Sequence, residues 1–305
     1  MSWLTEGSKM NFSHQELEDM AAAVPFWFHS IELGQGVTSK GWKSATQLAE
    51  EFQRMRLPDL RGKSVLDINA WDGYFSFAAE RSGAKRVVAL DHYMWAMDLA
   101  EHSKYWKECK ERGVSPEPYH KMPYYKPDQL PGKIGFDTAH RALQSKVEVV
   151  IGDFMEMDLA PLGTFDVVFY LGSLYHMENP LQAMRNVAAV TKEMAVIETE
   201  AASFPPFDQR ALCEFFESDE LNGDISNWWS PNDKALAGLC RAAGFSRVDA
   251  IIDAQFHTAK TAQDISLPRK LRSAAGSMLR KLSLLKPLES ESQIIRYRAM
   301  VQAWK

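Results

Sequence analysis

Three acidic residues stand at the ends of three successive apolar runs, and this order could place them around one ligand. Asp67 lies in the first run, Asp91 ends the second and Asp153 ends the third. A carboxylate after the second run suits the two hydroxyls of a ribose, and one after the third suits the exocyclic amine of adenine. Each acid alone is most often a helix cap or a turn former. The ordered set predicts a site for an adenosine that carries a charged tail.

The turn after the first run narrows the choice of adenosine ligand. Asn69 and Trp71 stand where a dinucleotide-binding turn has glycines, and only Gly73 remains. A nicotinamide or flavin needs those glycines so that the backbone can approach a pyrophosphate, and a Walker-type turn is missing too. S-adenosylmethionine has no phosphate and tolerates a bulkier turn. Its methionine carboxylate suits the free N–H groups at the start of the helix that follows.

Apolar runs alternate with helical patterns from Ser64 onward, which predicts the elements that position these residues. Strands are predicted at 64–68, 86–91, 147–153, 165–171, 194–199, 248–252 and 294–301, and helices at 74–81, 94–110, 180–191 and 234–244. Strands that alternate with helices favour an α/β fold, a doubly wound and mostly parallel seven-stranded sheet. Residues 1–60 are predicted as an N-terminal helical cap, with an aromatic loop at 26–37, and residues 61–305 as the main domain.

Two inserts interrupt this alternation. Residues 111–136 are rich in proline and tyrosine, and residues 201–231 are aromatic and acidic. Both follow strand ends, where ligands of open α/β sheets bind, so we expect lids over the site. The aromatic residues predicted to line an acceptor pocket are Tyr119, Tyr124, Tyr125, Trp228 and Trp229, although plain packing of a cap would use the same residues.

Composition restricts the class of protein. The chain has 305 residues, 46% of them hydrophobic, and a net charge of −5, which makes a nucleic-acid partner less favourable. No apolar run is long enough to span a membrane, and the N-terminus lacks the pattern of a signal peptide. Three widely spaced cysteines favour reduced thiols in a cytoplasmic protein and show no zinc spacing. We therefore expect no metal, no membrane insertion and a cytoplasmic location.

One longer motif resembles a known family. Residues 171–176, Leu-Gly-Ser-Leu-Tyr-His, followed by Asn179-Pro180-Leu181, are similar to the G-V-L-Y-H-x-x-x-P-L motif of class I S-adenosylmethionine-dependent methyltransferases. The likeness is to the group that forms carboxymethyl or methoxy derivatives of the tRNA wobble uridine, and to its small-molecule relatives. It spans roughly residues 24 to 301 and includes 31–37, 165–168, 228–232 and 243–245.

The resemblance implies a Rossmann-like methyltransferase fold, S-adenosylmethionine as cofactor and roles for individual residues. Asp67 and Gly73 would flank the methionine part, Asp91 would hold the ribose, and Asp153 and Phe154 would frame the adenine. The remaining residues expected at the cofactor are Asn69, Ala70, Trp71, His92, Leu171 and Gly172.

The same resemblance raises the question of a carboxylated donor. In carboxymethyl-transferring members a Lys, a Tyr and an Arg hold the extra carboxylate of carboxy-S-adenosylmethionine. Tyr175 and Arg298 match the Tyr and the Arg, but the Lys place falls near His29, and no lysine follows it until Lys40. A buried anion that lacks its ammonium partner is strongly disfavoured. We therefore expect ordinary methyl transfer.

A hydroxyl acceptor must lose a proton, and a histidine suits that task near neutral pH. His176 is the first candidate for the base, with Tyr175 beside it at the expected point of methyl transfer. His176 could equally do no more than bind a neighbouring loop. His29 and His120 are weaker candidates, because histidines in loops are more often solvated than catalytic.

Three functions remain open at this point. The first is methyl transfer to a small molecule, such as a natural-product intermediate or a sugar, and the second is modification of tRNA. The stretch 268–286 favours tRNA because it is basic and amphipathic, although a plain surface helix has the same pattern. The third is a catalytically silent module that binds a cofactor or a partner, suggested by the altered glycine turn. The oligomeric state is left open.

Overall fold

The computed structural model describes residues 12–114, 116–117, 119–205, 207–251 and 294–305. The predicted basic helix 268–286 lies outside the described residues. The helices are α1 His14–Ala22, α2 Ala45–Arg54, α3 Tyr74–Arg81, α4 Tyr93–Ala96, α5 Leu99–Arg112, α6 Ile134–Leu143, α7 Pro180–Val190 and α8 Asp233–Ala242. The strands are β1 Glu32–Gly34, β2 Val37–Thr38, β3 Ser64–Ile68, β4 Arg86–Asp91, β5 Glu148–Ile151, β6 Phe165–Leu171, β7 Thr191–Ser203, β8 Cys213–Phe215, β9 Trp229–Pro231, β10 Arg247–Ala250 and β11 Ile295–Trp304.

A seven-stranded sheet organises the chain, in the order β10-β11-β7-β6-β3-β4-β5. The five strands from β3 to β7 are parallel, and β11 runs antiparallel to both β7 and β10. Both faces are covered. Val167 and Phe169 pack into one apolar cluster, and the alternating residues Val168 and Tyr170 pack into another. This confirms the predicted doubly wound α/β fold.

The strand order reverses between β3 and β6, and this reversal positions the site. Helices leave β3 and β6 toward opposite faces of the sheet, so a crevice opens at the carboxyl ends of these strands. Asp67 pairs with Phe169 across this boundary, and Leu171 pairs with Glu198 on the next strand. The predicted cofactor residues and the methyl-transfer motif therefore share one edge of the sheet.

The single helix predicted at 94–110 is wrong, because the structure divides it into α4 and α5. The break lies at Met97–Asp98, where the Asp98 N–H donates to the Tyr124 carbonyl at 2.7 Å. The Asp98 carboxylate then caps α5 by accepting from the Glu101 N–H. Asp98 is thus an N-cap residue within what appeared in the sequence as one helical pattern.

Other elements differ from the sequence-based expectation in extent. The aromatic loop at 26–37 contains the β1–β2 hairpin, so the N-terminal region is not all helical. Helix α6 follows the first insert and was not predicted. Strand β7 continues to Ser203, which pairs with Ile295, and the second insert contains a β8–β9 hairpin. Among the described residues no helix is both long and apolar enough to cross a bilayer.

Candidate active site

Asp67 is buried inside the sheet edge and does not face open solvent. Its side chain is 3% exposed, and Oδ2 accepts a hydrogen bond of 2.6 Å from the Ser76 hydroxyl at the start of α3. Burial raises the pKa of Asp67 to about 7, and the charge of Asp91 adds to this shift. The carboxylate therefore ionises fully only above neutral pH or beside a cation.

Asp91, at the end of β4, is also fully buried. Oδ2 accepts the Trp71 N–H at 2.8 Å and Oδ1 accepts the Met94 N–H at 3.1 Å. Burial raises the pKa of Asp91 to about 6, although these backbone donors favour the charged form. Asp91 thus joins the turn after β3 to the start of α4.

Asp72 is a third buried acid, which sequence reasoning missed. Its Oδ2 accepts the N–H groups of Phe28 and His29, at 2.7 and 2.9 Å, and so ties the N-terminal region to the turn. Burial raises its pKa to about 7. The position of Asp72 next to Gly73 in the turn was the only sequence feature that could have predicted a role for it at the site, and an acid in a turn is usually a local cap.

Most backbone N–H groups of the turn after β3 already have an acceptor within the protein. The N–H groups of Asn69 and Ala70 donate to the Leu90 carbonyl, and that of Gly73 donates to the Ala70 carbonyl. Asn69, Trp71 and Gly73 all have positive φ, which glycine adopts without strain and other residues do not. The Trp71 ring stacks on Phe28 at 3.9 Å. A stacked tryptophan therefore holds the place where a dinucleotide-binding turn needs glycine.

These three aspartates, which we call the acidic half of the crevice, are only partly ionised near pH 7 and have no lysine or arginine as an ion-pair partner in the described part of the chain. Within the described residues, no lysine or arginine is among the groups that shift their pKa values. Such a cluster is stabilised by a bound cation. S-adenosylmethionine carries an ammonium and a sulfonium, so the acidic half fits this cofactor in charge. A ribose contact with Asp91 requires the turn at Trp71 to move, because no part of that carboxylate is exposed.

The predicted adenine side lies at the ends of β4 and β5. The half-buried Asp153 accepts the Met155 N–H through Oδ1, while Phe154 is buried and packs on Tyr170. His92 Nδ1 lies 3.3 Å from the Tyr125 hydroxyl. Tyr119 stacks edge-on against Tyr125. The first insert thus reaches the end of β4, as expected of a lid.

The second side of the crevice, which we call the paired half, is built by β6, β7 and β11. Leu171 ends β6, and the N–H of Gly172, the next residue, donates to the Glu198 carbonyl. Gly172 has a φ of +68°, and a Cβ there would lie 3.6 Å from the Arg298 guanidinium. That distance is an ordinary van der Waals contact, so the positive φ rather than lack of space favours glycine at this position.

Arg298 is held by two glutamates. Its guanidinium makes a two-pronged ion pair with Glu198 and contacts Glu200 at 3.2 Å. It also lies over the Tyr175 ring, 5.0 Å from the centroid. Burial opposes the charge of Arg298, but the glutamates outweigh it and hold the guanidinium pKa well above its ordinary value. Its positive charge is already balanced.

His176 lies in the turn after β6, and its ring is fixed from one side. Nδ1 lies 3.0 Å from both the carbonyl oxygen and the hydroxyl of Ser226 in the second insert. Burial lowers the pKa of His176, with the charge of Asp224 acting in the opposite direction. The imidazole is neutral at neutral pH and can accept a proton.

His29 is in a different situation. It is buried among aromatic rings, and its Nδ1 has no hydrogen-bond partner, lying 3.9 Å from Asp72. Burial, with the charge of Lys43, lowers its pKa to about 3. Such a ring stays neutral at physiological pH, and only 5% of the residue is exposed to solvent. The packing supports a structural role for His29.

The predicted acceptor residues are distributed unequally. Tyr124 is 2% exposed and packs against His102 of α5, so its ring supports the insert from inside. Trp228 and Trp229 are half-buried, and the Trp228 N–H donates to the Tyr175 carbonyl at 2.8 Å. Trp228 thus joins the second insert to the methyl-transfer motif. The structure adds Glu198, Glu200, Asp224 and Ser226, for which no sequence signal was found.

Comparison with known proteins identifies the family of this chain. A family described as a methyltransferase domain matches residues 42–250. Two relatives named tRNA U34 carboxymethyltransferase, from Desulfotalea psychrophila and Shewanella loihica, are each 22% identical, over 82% and 74% of this chain. The chain spans 67% and 55% of their lengths.

Solved structures share the fold at low sequence identity. The N-terminal domain of EvdMO1, crystallised in the presence of SAH and D-fucose, is 14% identical with a TM-score of 0.54, over 98% of this chain and all of that one. Phosphoethanolamine N-methyltransferase 2 of Haemonchus contortus is 12% identical with a TM-score of 0.50, over 97% of this chain and 59% of that one.

The chain belongs to this methyltransferase family. It is a class I methyltransferase with S-adenosylmethionine as methyl donor. The hypothesis of a catalytically silent module is therefore set aside.

Proposed function

We propose that this methyltransferase transfers an ordinary methyl group to a hydroxyl of a small molecule, with His176 as the base. The observation that carries this proposal is the contact between His176 Nδ1 and the Ser226 carbonyl. A carbonyl can only accept, so Nδ1 holds the hydrogen and Nε2 keeps its lone pair. A neutral imidazole with a free Nε2 is the form that can take a proton from a hydroxyl.

The cofactor would lie across both halves of the crevice. Asp67 and Asp72 would face its cationic methionine end, Asp91 its ribose, and Asp153 with Phe154 its adenine. When bound, S-adenosylmethionine supplies a methyl group already activated on a sulfonium. The chain has to orient the acceptor and exclude water, and such positioning is worth about 7–11 kcal/mol. The acceptor hydroxyl would lose its proton to His176 Nε2 as its oxygen gains the methyl group.

The state of Arg298 supports an ordinary rather than a carboxylated donor. Its guanidinium is already bound by Glu198 and Glu200. A third carboxylate would have to displace one of these glutamates and leave it without its partner. The aromatic inserts and the net charge of −5 support a small acceptor.

Modification of tRNA is the second candidate, because both curated relatives are named as tRNA U34 carboxymethyltransferases. A tRNA substrate would bind with a steep dependence on salt. The basic stretch 268–286 is the sequence feature that favours it.

One assay separates these candidates. The protein is incubated with S-adenosylmethionine, or in parallel with its carboxylated form, and either a panel of hydroxylated small molecules or bulk tRNA, and release of S-adenosylhomocysteine is measured. The panel includes D-fucose, because the EvdMO1 domain was crystallised in its presence. We expect product with a member of the panel and none with tRNA. Turnover with tRNA alone, or turnover only with the carboxylated donor, would contradict the proposal.

A further inference from the structure

The second insert touches the proposed base through one residue that is itself held by a carboxylate. Ser226 Oγ donates to Asp224 Oδ1 at 2.7 Å, and the Ser226 N–H donates to the same oxygen at 2.8 Å. Because Ser226 Oγ uses its hydrogen on Asp224, its lone pair faces His176 Nδ1 and can accept from it. The chain of contacts therefore runs from His176 to Ser226 to Asp224.

We propose that Ser226 and Asp224 are positioning residues that fix the Nδ1–H tautomer of His176 and stabilise its protonated form. This inference rests on the proposed role of His176 as the base. The Ser226 carbonyl and hydroxyl both receive Nδ1–H, which leaves Nε2 as the only nitrogen able to take a proton. When it does, the Asp224 carboxylate faces a positively charged ring through Ser226.

The surroundings of the ring show why this carboxylate matters. Arg298 lies on the other side of the motif, and its positive charge lowers the proton affinity of His176, as burial does. The charge of Asp224 opposes both, and the hydrogen bond to the Ser226 carbonyl adds to its effect. The Tyr175 ring stacks beside the imidazole at 4.1 Å and carries no charge, because burial raises the pKa of its hydroxyl. Without Asp224 the ring would lose its one favourable charge.

The same insert is anchored where it meets the motif. Besides the contact of Ser226, the Trp228 N–H donates to the Tyr175 carbonyl, and the Asn227 side chain donates to the Leu221 carbonyl at 2.8 Å. Two side chains of the insert itself, Phe216 and Leu221, are buried. The insert is therefore a folded part of the site that sets the state of the base as well as covering the crevice.

Nuclear magnetic resonance of the full chain tests the inference without cofactor or acceptor. Histidine is labelled with ¹⁵N, and long-range ¹H–¹⁵N correlations report which ring nitrogen carries the hydrogen. The chain has eight histidines, so His176→Gln assigns the signal by its loss. We expect a protonated Nδ1 and an unprotonated Nε2 at neutral pH. A hydrogen on Nε2 would overturn the inference.

The titration midpoint of the same signal tests Asp224. Asp224→Asn keeps the shape and the hydrogen bonds to Ser226 but removes the charge, so we expect the midpoint to fall by about half to one pH unit. Ser226→Ala should lower it less, and Ser226→Thr, which retains the hydroxyl, should restore it. Asp219→Asn, on an exposed part of the same insert, is the control and should leave it unchanged.

Two outcomes contradict the role of Asp224. One is an equal midpoint in Asp224→Asn and Asp219→Asn, with thermal unfolding showing both variants folded. The other is a midpoint that is higher in Asp224→Asn than in the wild type, since removal of a carboxylate that acts through Ser226 must lower the proton affinity of the ring. Failure of the proposed function is a separate result, because it is absence of turnover with every acceptor while the tautomer stays as expected.

Discussion

The two halves of the crevice both concentrate carboxylates at the same sheet edge, but they differ in how that charge is balanced. In the acidic half, Asp67, Asp72 and Asp91 are buried, and burial raises their pKa values. In the paired half, Glu198 and Glu200 share Arg298, and the pKa of Glu198 is lowered because the arginine outweighs its burial. Among the residues that the structure describes, the acidic half has no cation of its own, which a ligand can supply, and the paired half contains Arg298.

The two candidate histidines follow the same division. His29 packs beside the acidic half with no hydrogen-bond partner at Nδ1, and His176 belongs to the paired half with Nδ1 held by Ser226. Burial lowers both pKa values, and the charge of Asp224 opposes this shift at His176. Asp72 lies 3.9 Å from His29 Nδ1, but its Oδ2 accepts two backbone N–H groups, and burial raises its own pKa to about 7. The held tautomer, together with a carboxylate that favours the protonated ring, therefore makes His176 the better candidate for a base.

Replacing the two histidines one at a time should give the largest difference in turnover. We expect His176→Gln to lower turnover by about 10²–10⁴-fold with little change in cofactor affinity, because general base catalysis is lost. His29→Phe should keep turnover within about threefold, since the ring only packs. Steady-state kinetics with the acceptor found in the panel measure both. Equal losses in the two variants would remove the distinction between the halves.

Loss of a carboxylate from the acidic half should affect the cofactor next. Asp91→Ala removes the proposed ribose contact and leaves the Trp71 and Met94 N–H groups without their acceptor, so we expect affinity to fall by about 100-fold or more. Calorimetric titration with S-adenosylmethionine measures this. Asp166→Ala is the control: Asp166 accepts from Ser64 at the opposite end of the sheet, so its loss should reduce stability and leave affinity unchanged. Unchanged affinity in Asp91→Ala would contradict the site.

Removing the built-in cation should destabilise the paired half. Arg298→Met leaves Glu198 and Glu200 without their shared cation. We expect the free energy of unfolding to fall by about 2 kcal/mol near pH 7, a value that already allows for screening of the arginine side chain, which is 33% exposed. The pKa of Glu198 is lowered in the folded protein. The stability that the ionised Glu198 contributes is therefore fully present above its unfolded-state pKa and is lost as the pH falls through its folded-state pKa. The gap between variant and wild type should therefore narrow in acid. Urea unfolding at two pH values measures it, and a gap that widens in acid would be inconsistent with this pairing.

The smallest expected effect is a partial release of protons when the cofactor binds. A cation bound beside Asp67 and Asp72 favours their charged forms, so cofactor binding near pH 6.5 should release part of a proton. Binding heats measured in buffers of different ionisation enthalpy report this release. It should vanish above about pH 8.5, where both acids are already ionised, and it should persist in Glu200→Gln, which changes only the paired half. Heats that do not depend on the buffer at pH 6.5 would show that no cation reaches these acids.

The sequence predicted the sheet well because its strands are apolar runs with turn residues between them. The run Phe165–Leu171 is buried on both faces, and such a run predicts a central parallel strand from local pattern alone. The division between α4 and α5 was not predicted in this way. The cap of α5 is local, because the Asp98 carboxylate accepts the Glu101 N–H, but the Asp98 N–H that leaves the helical pattern donates to Tyr124, which lies far along the chain.

The candidate site divides along the same line. By itself the sequence determined which residues end the parallel strands, since alternation and turn chemistry are local, and it identified the Tyr175-His176 motif. Only the tertiary structure decided what those residues can do. Arg298 meets Glu198 across neighbouring strands, and His176 meets Ser226 fifty residues away. Charge balance and tautomer depend on partners that the fold brings together, and no local pattern in the chain specifies them.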